Sequence, residues 1–141
     1  MHMLAKNIAE KLRDELVKGD CLEEYCKTLS YNTVYMGRMT NELGQHKWVT
    51  IEEYVKGDFV KYITNDGTSC DSEDGDMEIE QKCASLAHFS IEHSLGLLLI
   101  VDLQGSGHTL YDPEIASRDH TKDGKFLFAA GNLSQTVMIT S

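Results

Sequence analysis

Five consecutive apolar residues, Leu97-Leu98-Leu99-Ile100-Val101, run straight into an aspartate and two glycines in the segment LLLIVDLQGSG. The run is far short of the roughly 18 apolar residues of a membrane span, and reads as a strand buried on both faces. Such a strand needs a layer on each side, and helical periodicity supplies two. Leu4, Ile8, Leu12 and Leu16 recur at every fourth position with Ala5 and Ala9 beside them, which predicts an opening helix ending near Gly19. Ile79, Cys83, Leu86, Ala87 and Ile91 mark one face of a second long helix that stops before Gly96. A short helix is expected over 22–29, strands over 34–36, 48–54 and 58–62, and a further short strand at 126–128.

The chain has 141 residues, enough for one domain with a core and too few for two ordinary ones. Thirteen basic against 23 acidic residues give a net charge of −10. No Lys/Arg cluster of the kind that holds a phosphate backbone is present, so nucleic acid is excluded as a general partner. The opening residues lack a basic patch followed by an apolar block, so a secretory signal is not expected. The four cysteines then read as reduced thiols of a soluble cytoplasmic protein without a membrane partner. Cys21 and Cys26 find no matching second pair in Cys70 and Cys83, so the spacing of structural zinc is not met.

From Asp66 to Glu80 there are seven acidic residues and no basic one, the pattern of a solvated loop. A calcium loop fails on register. With Gly75 at the glycine position of an EF-hand, Cys70 falls where the first aspartate belongs and Gln81 where the bidentate glutamate belongs.

Chemistry concentrates between Leu97 and Pro113. The apolar strand delivers Asp102 at its end, and period-two geometry predicts Gln104 on the same face. Gly105 and Gly107 allow a sharp turn, and a second carboxylate, Asp112, is held before Pro113. Two carboxylates and an amide oxygen are the hard donors that magnesium accepts, and are not a zinc set. A dinucleotide-binding glycine motif is rejected because Leu110 stands at its third glycine and Tyr111-Asp112-Pro113 cannot open the required helix. A purely structural reading, with Asp102 ending the strand and Asp112 forming a turn, stays open on composition alone.

Four ordered stretches carry a family resemblance: Leu86-Ala87-His88-Phe89-Ser90, Asp102-Leu103-Gln104-Gly105-Ser106-Gly107, Leu110-Tyr111-Asp112-Pro113 and Ala129-Ala130-Gly131-Asn132-Leu133-Ser134. They resemble the F-S-H-[FW]-[ST], D-[LI]-Q-G-V-G, [LY]-T-D-P and G-x-[GA]-N-L-G stretches of the α-type protein kinases, in order and in spacing. Upstream, Ile51 to Tyr62 is similar to that family's V-E-x-Y-[IV]-x-G-x-F-x-K-Y hinge, and Asn65 and Gly67 match part of the N-x-N-x-G that follows it. The resemblance covers about Val49 to Leu133.

The resemblance implies an α+β fold, the C-terminal lobe of an atypical kinase, with helices packed on a mixed or antiparallel sheet. It implies serine/threonine phosphorylation of a protein substrate with ATP and Mg2+. Gln104 and Asp112 would ligate the metal, and Asp102 would orient the acceptor hydroxyl and take its proton; the two aspartates could also exchange duties. The backbone of Glu52, Glu53 and Tyr54 would meet the adenine. Asn65, Gly131 and Asn132 would belong to the phosphate or substrate loops.

Departures from the family pattern are equally specific. The family's nucleotide-binding lysine strand has no counterpart ahead of Leu4, and its downstream zinc segment has none after Cys83, so a single partial domain over 1–141 is expected. His88 stands at a zinc-ligand position whose partners are absent, which predicts a packed or hydrogen-bonded histidine and no Zn2+ in this chain. Ala129 and Ser134 replace two glycines, and Ile63 stands where the first asparagine belongs. Two functional readings follow: a kinase, or a non-catalytic kinase lobe that binds or regulates a partner. Surface left open by a partial domain predicts self-association.

Overall fold

A computed structural model describes residues 1–70, 76–119, 121–123 and 125–128 of the chain. The opening helix α1, His2–Lys18, forms as its apolar stripe predicts: Ala5, Ile8 and Ala9 are buried, with Leu4 and Leu12 packed beside them. It ends at Gly19, whose N–H donates to the Glu15 carbonyl at 2.9 Å. The next helix, α2, covers only Leu22–Tyr25, four residues short of the expected end. Cys26 adopts φ +61°, which a right-handed helix cannot contain, and the chain is released so that Leu29 can enter the core. Long-range pairing of the following residues outweighs local helix preference there.

The second long helix, α3, spans Met77–His93 and so takes in the last four residues of the acidic segment; 71–75 lie outside the described residues. Asp76 caps it by accepting from the Glu78 N–H at 3.0 Å. Its inner face buries Ile79, Cys83, Leu86 and Ser90. Lys82 is buried as well; its ammonium donates to the Lys27 carbonyl at 2.8 Å, pairs with Glu78 and lies 5.2 Å from the centre of the Tyr25 ring.

Strands β1 (Ser30–Tyr31), β4 (Val60–Lys61), β6 (Gln104–Ser106) and β7 (Thr109–Leu110) make a mixed sheet in the order β1-β7-β6-β4, with β1 parallel to β7 and the other pairs antiparallel. Three antiparallel pairs complete the described residues: β2 (Val34–Thr40) with β3 (His46–Glu52), β5 (Leu98–Val101) with β8 (Glu114–Ser117), and β9 (Thr121–Lys122) with β10 (Lys125–Phe126).

The apolar run is buried on both faces from Leu99 to Val101. Ile100 joins the main core with Ile8, Leu86 and Leu103, and Leu99 and Val101 pack with Ala116, Ala87 and Ile91. Ser90 ties helix to strand: its hydroxyl donates to the Ala87 carbonyl at 2.6 Å and accepts from the Ile100 N–H at 2.9 Å. The β2–β3 hairpin, by contrast, is an exposed ribbon. Tyr35, Met36, Met39, Trp48 and Ile51 all stand in solvent on its two faces.

Candidate active site

Strand β5 stops one residue before Asp102, because Asp102 takes a left-handed backbone (φ +53°) that no strand contains. The turn is held from the other side. Asp102 N–H donates to the Thr64 carbonyl at 3.2 Å, and the Leu103 carbonyl accepts from Tyr62 and Ile63 at 2.9 and 3.1 Å. Period-two geometry therefore does not relate Asp102 to Gln104, which begins β6 in a different sheet. The two are brought together through β4 instead. Lys61 is the register partner of Gln104, and its ammonium lies 2.5 Å from Asp102 Oδ1. The contact is a close ion pair between a partly exposed lysine and a largely buried carboxylate. Direct contact with the Asp102 carboxylate raises the Lys61 ammonium above the ordinary lysine range, against a smaller effect of burial.

Asp112 closes the site. It too is left-handed (φ +51°), just ahead of the buried Pro113. Asparagine and aspartate tolerate this region better than other side chains. Its carbonyl accepts from Gln104 Nε2 at 3.3 Å, and Tyr111 N–H donates to the Gln104 carbonyl at 3.1 Å. The Gln104 amide oxygen and the exposed Asp112 carboxylate are thus held at one end of the mixed sheet. Gly105 is required beside them, since a Cβ there would run into the Thr109 carbonyl.

Glu114 is a third carboxylate, opposite Val101 in the β5–β8 pair. Burial, then the charges of Asp102 and Asp112, push its carboxyl above the usual glutamate range, and Lys61 offsets part of that. Sequence reasoning missed both Lys61 and Glu114 as site residues. Lys61 was visible only as part of the hinge pattern, and Glu114 only as the residue after Asp112-Pro113.

A cavity of about 510 Å³ lies between the hairpin and Asp112. Val34, Met36, Thr50 and Glu52 form one wall and Asp112 and Pro113 the other, with the start of α1 alongside. Glu53 N–H bonds the Thr33 carbonyl at 2.9 Å, and Asn32 Nδ2 donates to the Glu53 carbonyl at 3.3 Å. Antiparallel alternation then turns the peptide groups of Glu52 to the outer edge of β3, open to a planar ligand. Tyr54 stands exposed beyond it.

The remaining sequence-predicted residues divide. Asn65 is exposed in the 64–68 turn, next to the Thr64 carbonyl that anchors Asp102. Gly131 and Asn132 lie outside the described residues, as do Ala129 and Ser134. His88, expected to be packed or hydrogen-bonded, is not packed: its side chain is 71% exposed on the outer face of α3, and its partner is Glu92 one turn on, 3.4 Å from Nε2. Histidine at this helical position faces solvent because Leu86 and Ser90 take the inner face. Among the described residues no group of three or more His, Cys, Asp or Glu side chains is arranged to hold a metal. Also among them, no helix is long and apolar enough to cross a membrane.

The Alpha-kinase family model matches residues 1–139. The chain belongs to the Alpha-kinase family. Within it, the chain is 32% identical over 90 residues to mouse transient receptor potential cation channel subfamily M member 6, covering 64% of the chain and 4% of the channel. It is 40% identical over 84 residues to myosin heavy chain kinase B of Dictyostelium discoideum, covering 60% and 10%. The fold matches the alpha-kinase domain of myosin heavy chain kinase A in complex with AMP, at TM-score 0.71 and 22% identity, and in complex with ADP, at 0.72 and 22%. Both comparisons cover 99% of this chain and about half of the solved one, 51% and 49%. The α+β lobe expected from the motifs is therefore the fold observed, and its main sheet is of the mixed kind.

Proposed function

We propose that this lobe carries phosphoryl-transfer chemistry: a serine/threonine kinase that moves the γ-phosphoryl group of ATP to a protein hydroxyl with Mg2+. The observation that carries the reading is the chain of contacts from Asp102 through Lys61 and Gln104 to Asp112, which itself lines a cavity shared with Glu52 of the hinge. Adenine fits the outer edge of Glu52 to Tyr54, with the phosphates extended toward Asp112.

The donor set suits magnesium: a carboxylate from Asp112 and the amide oxygen of Gln104, whose nitrogen is already committed to the Asp112 carbonyl. When bound, Mg2+ would supply positive charge against the phosphate oxygens. Asp102, with one oxygen on Lys61, keeps the other for the acceptor hydroxyl, which it orients and from which it accepts the proton. Rate enhancement then comes from position and charge, the mode phosphoryl transfer favours.

A second reading, a non-catalytic binding or regulatory lobe, draws on Ile63. It occupies the family's first asparagine position but is buried in the core, where it can reach no phosphate. Asp112→Ala separates the two. A kinase loses phosphotransfer by about 100-fold or more while keeping its far-UV circular dichroism. Wild-type protein with no Mg-dependent ATP affinity by calorimetry, or a mutant of unchanged activity, sinks the catalytic reading. A cytosolic setting and self-association through the exposed hairpin belong to the same proposal; the first rests on the unpaired thiols and the second on the apolar side chains of β2 and β3.

A further inference from the structure

We infer that Asp66 is a positioning residue of the transfer site, acting on Asp102 through the Thr64 carbonyl. The inference rests on the kinase reading above, in which Asp102 receives the acceptor proton. Asp102 carries a left-handed backbone (φ +53°), a region disfavoured for residues with a Cβ. Such a residue keeps its conformation only where its surroundings over-determine it. Three backbone bonds from one segment do so here. Asp102 N–H donates to the Thr64 carbonyl at 3.2 Å, and Tyr62 and Ile63 N–H donate to the Leu103 carbonyl at 2.9 and 3.1 Å.

That segment is one arm of a small hairpin. Ile63 bridges Ser69, Thr64 N–H donates to the Thr68 carbonyl at 2.9 Å, and Cys70 N–H donates to the Tyr62 carbonyl at 2.9 Å. Asp66 stands at the centre of the tip. Its exposed carboxylate accepts from the Thr64 hydroxyl and from the Thr68 N–H at 3.1 Å, so one side chain joins both arms. It does so at the residue whose carbonyl is shared between Gly67 N–H, at 3.1 Å, and Asp102 N–H. Without Asp66 the tip loosens, the Thr64 carbonyl turns, and Asp102 loses the bond that fixes where its carboxylate points. Asp66 thus acts on the direction of Asp102 and not on the substrate.

The test compares wild type, Asp66→Ala and Asp66→Asn, assayed with Mg·ATP and a degenerate Ser/Thr peptide library, and by amide hydrogen exchange without nucleotide. Asp66→Ala lowers kcat about fivefold to tenfold and leaves KM for ATP unchanged. Asp66→Asn, whose amide oxygen can accept both bonds, stays within about twofold of wild type. In Asp66→Ala the Asp102 amide exchanges about tenfold faster, while the Ile100 amide, bonded to Ser90, keeps its wild-type rate. Thr64→Val, which keeps the carbonyl and removes the hydroxyl, moves kcat and Asp102 exchange in the same directions. Unchanged Asp102 exchange, equal acceleration at Ile100, a change confined to KM, or equal losses in the alanine and asparagine variants overturns the role. Wild-type protein inactive toward every acceptor overturns the kinase reading and this role with it, a result distinct from an active wild type whose Asp102 exchange ignores Asp66.

Discussion

The two sides of the candidate site, the β5 end that delivers Asp102 and the β2–β3 hairpin that ends at Glu52, are built differently. Beneath the carboxylates, β5 is buried on both faces and pinned to α3 through Ser90, so Asp102 leaves the core from a fixed point. Opposite, Glu52 ends a two-stranded ribbon whose only tryptophan, Trp48, is 67% exposed. A lone hairpin is marginal in water, because it has too little buried surface to offset the entropy of ordering it. The Asp102 end of the candidate site is thus preorganised by packing, while the Glu52 end depends on whatever else covers the ribbon.

Five experiments test that contrast. The largest effect belongs to the rigid side. Ile100→Ala removes a fully buried side chain shared by helix and strand, and costs about 2–5 kcal/mol of stability by urea denaturation. A cost under ~1 kcal/mol would mean that β5 is not the anchor. Ser90→Ala comes next. It leaves the buried Ile100 N–H without an acceptor and costs about 1–3 kcal/mol, with kcat affected through Asp102 before KM.

On the other side, Trp48 fluorescence is expected to change at lower urea than the far-UV signal of α1 and α3, since non-coincident transitions report separate units. Coincident curves would show the ribbon to be as firmly held as the core. Trp48→Thr correspondingly shifts global stability by no more than ~0.5 kcal/mol.

The smallest effect concerns charge. Glu114 has a folded-state carboxyl raised above its unfolded value, so its ionisation costs stability as pH rises through that raised value and costs nothing well below the ordinary glutamate range. Glu114→Gln therefore raises Tm by about 1–3 °C at neutral pH and gives no gain near ~pH 4. A gain of equal size at both would assign the effect to packing.

Much of the scaffold was legible beforehand. The stripes of α1 and α3 and the run of β5 are local patterns with strong periods, and each formed within a residue or two of its expected bounds. Asp102, Gln104 and Asp112 were singled out through their motif; Gln104 bonds the Asp112 carbonyl, and Asp102 reaches the strand beside Gln104 through Lys61. The reason offered for the first two was wrong: the chain does not continue as one strand past Val101 but turns left-handed at Asp102 and changes sheet. No local pattern announces such a turn in an aspartate. The early end of α2 at Cys26 escaped for a similar cause, because the demand for Leu29 in the core comes from residues far along the chain.

By itself, then, the order of residues determined the helices, the buried strand and the family of motifs, since each depends on neighbours within a few positions. Only the tertiary structure decided that Lys61, from the hinge segment, would become the partner of Asp102, and that Glu114 would open β8 opposite Val101. Charge acts through space, and its partners are chosen by which strands lie side by side.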